Sequence, residues 1–311
     1  MNERHITAGI ILLALTVILL AVKYLRARKS AKLRWWGWVG LSTILVIEVL
    51  LLRRVPWVAT FFTPLAWTAY LLLVDALVWR LQGRSRLGSE PGGFFSLAFW
   101  SVPLWLIFGA YNLRLANWTY VGLPDNLVVQ GIGCIWSFAT IWPAIFETAD
   151  LMRALGVGGE DAKHRIAFSR AGHLAIFALG LLFVTLPVLV PACVGQSLFG
   201  AVWVGFILAL DPVNYHWKGR SLLRDFEIGR TSTFYSLLVA GLVCGILWEF
   251  WNHWAAAKWV YVFPIWQESK IFEMPLPGYL GFPAFALECF VMYEFLGTVK
   301  GQLRRVRGRP A

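Results

Sequence analysis

The residues of this chain whose types and spacing could support chemistry come in pairs. Asp75 precedes Gly83-Arg84-Ser85-x-Leu87, and Asp211 precedes Gly219-Arg220-Ser221-x-Leu223 at the same spacing. An arginine so placed either closes on the aspartate as an ion pair that fixes a turn, or holds an anionic headgroup or diphosphate with the serine hydroxyl. Glu147 and Glu288 each follow a Pro-Ala pair, Pro143-Ala144 and Pro283-Ala284. Proline inside an apolar helix frees a carbonyl that neighbours or water must satisfy, so a polar cavity can form beside it. A desolvated carboxyl that keeps its proton there is either a general acid toward an apolar substrate or a hydrogen-bonded contact between helices.

Two aromatic motifs accompany them. Asn112, Trp118 and Tyr120 recur as Asn252, Trp259 and Tyr261. They are read either as anchors at a membrane interface or as the aromatic mouth of a site for a hydrophobic substrate. Glu249-Phe-Trp-Asn-His253 puts a carboxylate and an imidazole one helical turn apart, as a proton-handling pair or a plain hydrogen bond. The five histidines form no metal-spaced cluster, and there is no P-loop, Rossmann fingerprint or nucleophile elbow. No metal and no cofactor is expected.

The elements that must position these residues are membrane helices. Hydrophobic residues make up 59% of the 311 and charged residues 14%, against about 45–50% and 25% in soluble domains. Apolar runs long enough to cross a bilayer fall at roughly 7–22, 36–52, 57–79, 94–111, 128–150, 171–190, 196–216, 233–254 and 277–298. The fold class is therefore all-α, a polytopic bundle of about nine spans. Of the 28 Lys and Arg, all but Arg4, Arg53, Arg54, Arg114, Lys258 and Lys270 follow odd-numbered spans. Basic loops stay in the cytoplasm, which places the N-terminus outside and the C-terminus inside. The net charge of +11 thus reflects orientation in the plasma membrane, not nucleic acid. The first run is read as a retained span in preference to a signal peptide, because no small-x-small cleavage site follows it. The four cysteines read as small buried hydrophobes.

The paired motifs belong to a longer internal match. Trp67, Asp75 and Gly83-Arg84-Ser85 recur 136 residues on, and Phe94-Phe95-Ser96-Leu97 recurs as Phe234-Tyr235-Ser236-Leu237. Asn112, the Trp-x-Tyr motif, Pro-Ala and a glutamate then follow in the same order. This predicts a tandem duplication: residues 35–160 and 165–300 as two four-span repeats, 1–34 as an added helix with a basic loop, and 301–311 as a basic tail. An even number of spans gives both copies one orientation, with the symmetry axis along the membrane normal. The copies differ at Gly109, which Glu249 replaces in the second.

The duplication, a Trp-x-Tyr before proline in each copy (Trp118-Thr119-Tyr120 with Pro124; Trp259-Val260-Tyr261 with Pro264) and one proline-then-glutamate segment per copy resemble the membrane lycopene-cyclase type and the related carotenoid hydratases. The resemblance spans the two repeat cores and not the first span. That family places its acid two residues after proline, whereas Glu147 and Glu288 lie four and five after. The resemblance implies a cofactor-free enzyme of the cyclase, isomerase or hydratase kind that protonates a long isoprenoid or other lipid. Glu147 or Glu288 would be the acid, Asp75 or Asp211 the partner charge, and the aromatics would steady a cation. The rival expectation is a proton- or cation-coupled transporter or lipid translocator built from two pseudo-symmetric bundles.

Overall fold

The computed structural model describes residues 3–159 and 165–307. Lys163, His164 and the end of the basic tail, including Arg309, lie outside the described residues. Residues 301–307 of that tail continue the last helix.

The long apolar runs form the helices α1 (Glu3–Arg26), α2 (Trp35–Leu52), α3 (Phe62–Gln82), α4 (Pro91–Leu115) and α5 (Leu127–Ala154). They are followed by α6 (Arg170–Leu189), α7 (Phe199–His216), α8 (Ser232–Trp254) and α9 (Gly281–Arg307). Among the described residues, nine helices are long and apolar enough to cross a membrane. The architecture is that of a multi-pass helical membrane protein.

Polar caps set several helix starts. Asn126 accepts from the Val128 and Val129 N–H groups, and Ser169 from Gly172 N–H. Gly83, at φ +74°, ends α3 in the left-handed conformation that lacks a penalty only for glycine. Helices α4, α5, α6 and α7 each carry a proline, which a membrane helix tolerates where neighbours re-satisfy the backbone. Ahead of Pro143, for example, the Ser101 hydroxyl donates to the Phe138 carbonyl and accepts from Trp142 N–H at 3.1 Å.

The packing has a repeated plan. Helix α2 lies on α3 and α6 on α7, α3 packs on α5 and α7 on α9, and α4 meets α5 as α8 meets α9. In both first contacts a glycine lets the backbones approach. A Cβ on Gly40 would lie 2.5 Å from Ala69 O, and one on Gly180 would lie 2.2 Å from Ala209 N. Helices α5 and α8 meet in the middle, and Trp142 Nε1 donates to Cys289 O (2.9 Å), tying α5 to α9.

One end of the bundle carries most of the Lys and Arg and is called here the basic end. The other carries two short antiparallel ribbons, which the expectation of purely helical structure missed. Strand β1 (Trp118–Val121) pairs with β2 (Lys258–Tyr261), and β3 (Lys270–Ile271) with β4 (Met274–Pro275). In the first ribbon Trp118 stands opposite Tyr261, Tyr120 opposite Trp259, and Thr119 opposite Val260. The two Trp-x-Tyr motifs are therefore strands paired with each other. The alternation explains why: a period of two puts both aromatics on one face of the strand. The asparagines hold the strands at their starts. Asn112 Nδ2 donates to Trp118 O (2.8 Å) and Asn252 Nδ2 to Trp259 O (2.9 Å). Asn112 Oδ1 accepts from Trp118 N–H, and Asn252 Oδ1 from Trp259 N–H.

Candidate functional site

The aspartates are turn clamps. Asp75 accepts from Ser85 Oγ (2.9 Å), Leu87 N–H (2.8 Å) and Trp36 Nε1 (2.9 Å). Asp211 accepts from Ser221 Oγ (3.0 Å), Leu222 N–H (2.9 Å) and Leu223 N–H (2.8 Å). Each serine also caps the short helix that follows it, Arg86–Ser89 or Leu222–Glu227. The expected arginine partners go elsewhere: Arg84 is exposed, and Arg220 pairs with Glu294 at 2.9 Å. Buried N–H groups in the turn need acceptors, and the carboxylate serves them in preference to an exposed guanidinium.

The glutamates of the two Pro-Ala segments do not converge. Glu147 is buried between Asp75, Arg86 and Asp150, and Glu288, equally buried, lies against the Phe206 backbone of α7. Neither has a hydrogen-bond partner among the described residues. Contacts along α5 and α9 correspond at a spacing of 140 residues, with Trp142 on Ser101 and Phe282 on Gly241. At that spacing Glu288 stands where Thr148 does. Thr148 bonds Tyr70 (2.8 Å), whose counterpart 136 residues on is Phe206. The sequence alignment of Glu147 with Glu288 is thus one residue out of step with the contacts, which turns the two side chains to different sides of their helices.

A cavity walled by tryptophans lies under the first ribbon. Six tryptophans, Trp67, Trp105, Trp118, Trp203, Trp248 and Trp259, line a cavity of about 150 Å³. Tyr120 and Tyr261 also face it, so the expected aromatic-lined mouth is a roofed chamber. Edge-on and tilted contacts fix the walls: Trp67 lies 5.1 Å from Trp248, 5.0 Å from Trp251 and 5.3 Å from Tyr70. Trp105, Trp203, Trp248 and Lys258 are wall residues that sequence reasoning left unassigned. They come from different elements, and no local spacing joins them.

A buried polar chain adjoins one wall. Trp259 Nε1 donates to the Tyr261 hydroxyl (2.9 Å), which donates to Glu249 Oε1 (2.9 Å). Burial, with the Glu249 carboxylate beside it, pushes the Tyr261 phenol well above its ordinary value, so it remains a donor. Glu249 Oε2 has no partner among the described residues. Glu249 and His253 share a helical turn but take separate partners: His253 Nδ1 lies 3.6 Å from Glu273 Oε1, where Lys258 Nζ also binds at 2.8 Å. His253 first, then Lys258, outweigh the effect of burial and hold the Glu273 carboxyl down at about 2.

A second cavity, of about 230 Å³, opens at the basic end beside Arg86, Arg153 and Arg220. Its guanidiniums are already engaged: Arg86 and Arg153 share Asp150, and Arg220 holds Glu294. Among the described residues no group of His, Cys, Asp and Glu is arranged to hold a metal ion. No protein-family model matches the chain, and no curated protein or solved structure is significantly similar to it.

Proposed function

We propose that the chain is a plasma-membrane protein with its basic end in the cytoplasm, and that it does cofactor-free acid–base chemistry on a hydrophobic or amphiphilic molecule, of the isoprenoid or lipid class, held in the tryptophan chamber. The observation that carries this reading is the placement of Tyr261. Its ring lines the chamber while its hydroxyl bonds Glu249, a carboxyl buried behind the wall. With the Glu249 carboxyl protonated, Tyr261 gives its hydroxyl proton to a substrate double bond and takes the proton of Glu249 in its place, leaving the Glu249 carboxylate hydrogen-bonded to the phenol. The aromatic faces favour the resulting cation. Return of a proton from carbon to the same pair ends an isomerisation or cyclisation with no other reactant consumed. Among the described residues Glu147 and Glu288 neither line the chamber nor hydrogen-bond a residue that does, whereas Glu249, behind the wall, bonds Tyr261, so the acid role is assigned to Glu249.

The two-bundle plan supports a second element of the proposal, the duplication. The Asp75 and Asp211 clamps use equivalent serines and leucines, and the ribbon sets equivalent motifs about Thr119 and Val260. That arrangement is what a two-fold axis along the membrane normal would produce, and it equally favours the transporter reading.

One experiment separates the two. Purified protein in lipid nanodiscs is incubated with a mixture of polyisoprenoids in deuterium oxide, and the lipids are analysed by mass spectrometry. Deuterated or isomerised product that vanishes in Glu249→Gln is expected. Its absence, with proton-dependent uptake of the same lipids into proteoliposomes, would replace the enzyme by a carrier. Reporter fusions after Arg86, Arg165 and Arg230 should all read cytoplasm; a periplasmic signal at any of them would overturn the orientation.

A further inference from the structure

Threonines within the helices of this protein share a habit. Thr16, Thr60, Thr68, Thr148, Thr185 and Thr298 each donate their hydroxyl to the carbonyl four residues back, at 2.6–3.0 Å. Thr63 does not, although it is only 8% exposed. The chain turns at Phe61 between the short helix Pro56–Thr60 and α3, and the carbonyl of Ala59, four residues back, accepts from Ala256 N–H at 2.9 Å and not from the Thr63 hydroxyl. The Thr63 hydroxyl is left with no protein partner among the described residues.

The tryptophans show the same contrast. Trp36, Trp136, Trp142, Trp251 and Trp259 donate Nε1–H to an oxygen at 2.9–3.1 Å. Trp67, 1% exposed, donates to nothing among the described residues. A buried indole N–H without an acceptor is rare because it has given up water and gained nothing. Thr63 and Trp67 are one turn apart on α3, and both line the tryptophan chamber.

We infer that Thr63 and Trp67 together recognise a hydrogen-bond-accepting oxygen on the molecule the chamber holds, so that its ligand is a ring-sized group bearing a carbonyl. This rests on the reading of the chamber as the binding site and adds the ligand's chemistry to it. An indole N–H only donates, so its partner must accept, and a carbonyl oxygen has two lone pairs, one for each group. A space of about 150 Å³ is the size of an apolar cavity that takes up benzene. Planar rings also stack well on tryptophan walls. A ligand with a hydrocarbon group in place of the carbonyl would leave both polar groups unpaired, and a site built to bond an oxygen rejects an analogue lacking it.

The test uses two probes of matched shape, acetophenone and ethylbenzene, titrated into the full-length protein in detergent micelles with empty micelles as reference, and read by saturation-transfer NMR. The wild type should bind the ketone about tenfold more tightly than the hydrocarbon, the amount one or two net hydrogen bonds supply. Thr63→Val, which keeps the shape, and Trp67→Phe should each bring the two probes toward parity while leaving ethylbenzene affinity within about twofold. Retained ethylbenzene binding also reports that a variant still folds. If the wild type binds both probes equally, or if the preference survives both substitutions, the recognition of an oxygen is wrong while the chamber stands. If neither probe binds above the micelle reference, the chamber is not a binding site and both readings fall.

Discussion

The two sides of the ribbon begin alike and finish differently. On each side an asparagine holds the strand, a tryptophan and a tyrosine alternate on it, and the tyrosine lines the chamber. Behind Tyr261, however, stands Glu249, buried and bonded to the phenol; 140 residues earlier, on α4, stands Gly109, with nothing within 4 Å of where a side chain would begin. The matching residues wall the container, and the residue without a match supplies a titratable group. The aspartate clamps teach the converse. They are nearly identical on both sides, carry no free valence, and serve architecture.

The comparison is broken most severely at the clamps. Asp211→Ala strands two backbone N–H groups and a serine hydroxyl in a buried turn and should cost roughly 3–5 kcal/mol. Asp75→Ala, which strands one backbone N–H, the serine and Trp36, should cost a comparable amount. Thermal unfolding in detergent measures both, and a difference of more than about twofold would deny the two clamps equal standing. Next come the strand anchors. Asn112→Ala and Asn252→Ala each remove bonds to one tryptophan's backbone and should cost about 1–3 kcal/mol, with tryptophan emission shifting as the chamber opens. If one anchor is dispensable, the ribbon is held from one side only.

Protons test the side where Glu273 lies. Its folded value is depressed below the ordinary 4.5, so its contribution to stability is fully present above about 4.5 and is lost as the pH falls toward about 2. Proteolysis of the segment joining β2 to α9 should accelerate over that window in the wild type and be insensitive to it in Glu273→Gln. Equal pH dependence in the two proteins would remove Glu273 as the cause. The smallest effect belongs to Gly109. With nothing within 4 Å of its added Cβ, Gly109→Ala should be neutral or stabilising by up to about 1 kcal/mol. A clear loss of stability would mean that the open space beside Gly109 has a function of its own.

The helices were legible because their signal is local. Each apolar run contains its own evidence of length and burial, and basic residues mark one end. The ribbon was not, since β1 and β2 are four residues each and find each other across nearly half of the chain. Only the Trp-x-Tyr alternation hinted at a strand. The Asp75 motif was visible but misread: its arginine draws attention, whereas the serine that caps the next turn is the actual donor. The Glu147–Glu288 alignment failed by one residue, because matching identical letters is blind to which side of a helix they face. Thr63 and Trp67 were invisible as a pair. Their significance lies in bonds they do not make, which only the packing around them reveals.

The ribbon also sets an order of assembly. Strand β1 emerges early in synthesis, but its partner follows roughly 140 residues later, which at ordinary elongation rates is about 10–30 s. Throughout that interval three of the chamber's tryptophans are already made while the roof over them cannot close. Contacts so distant in sequence form late, after the intervening helices have been placed. The chamber is therefore the last part of the molecule to exist, and an early-stalled chain would expose its aromatic interior to whatever shares the membrane with it.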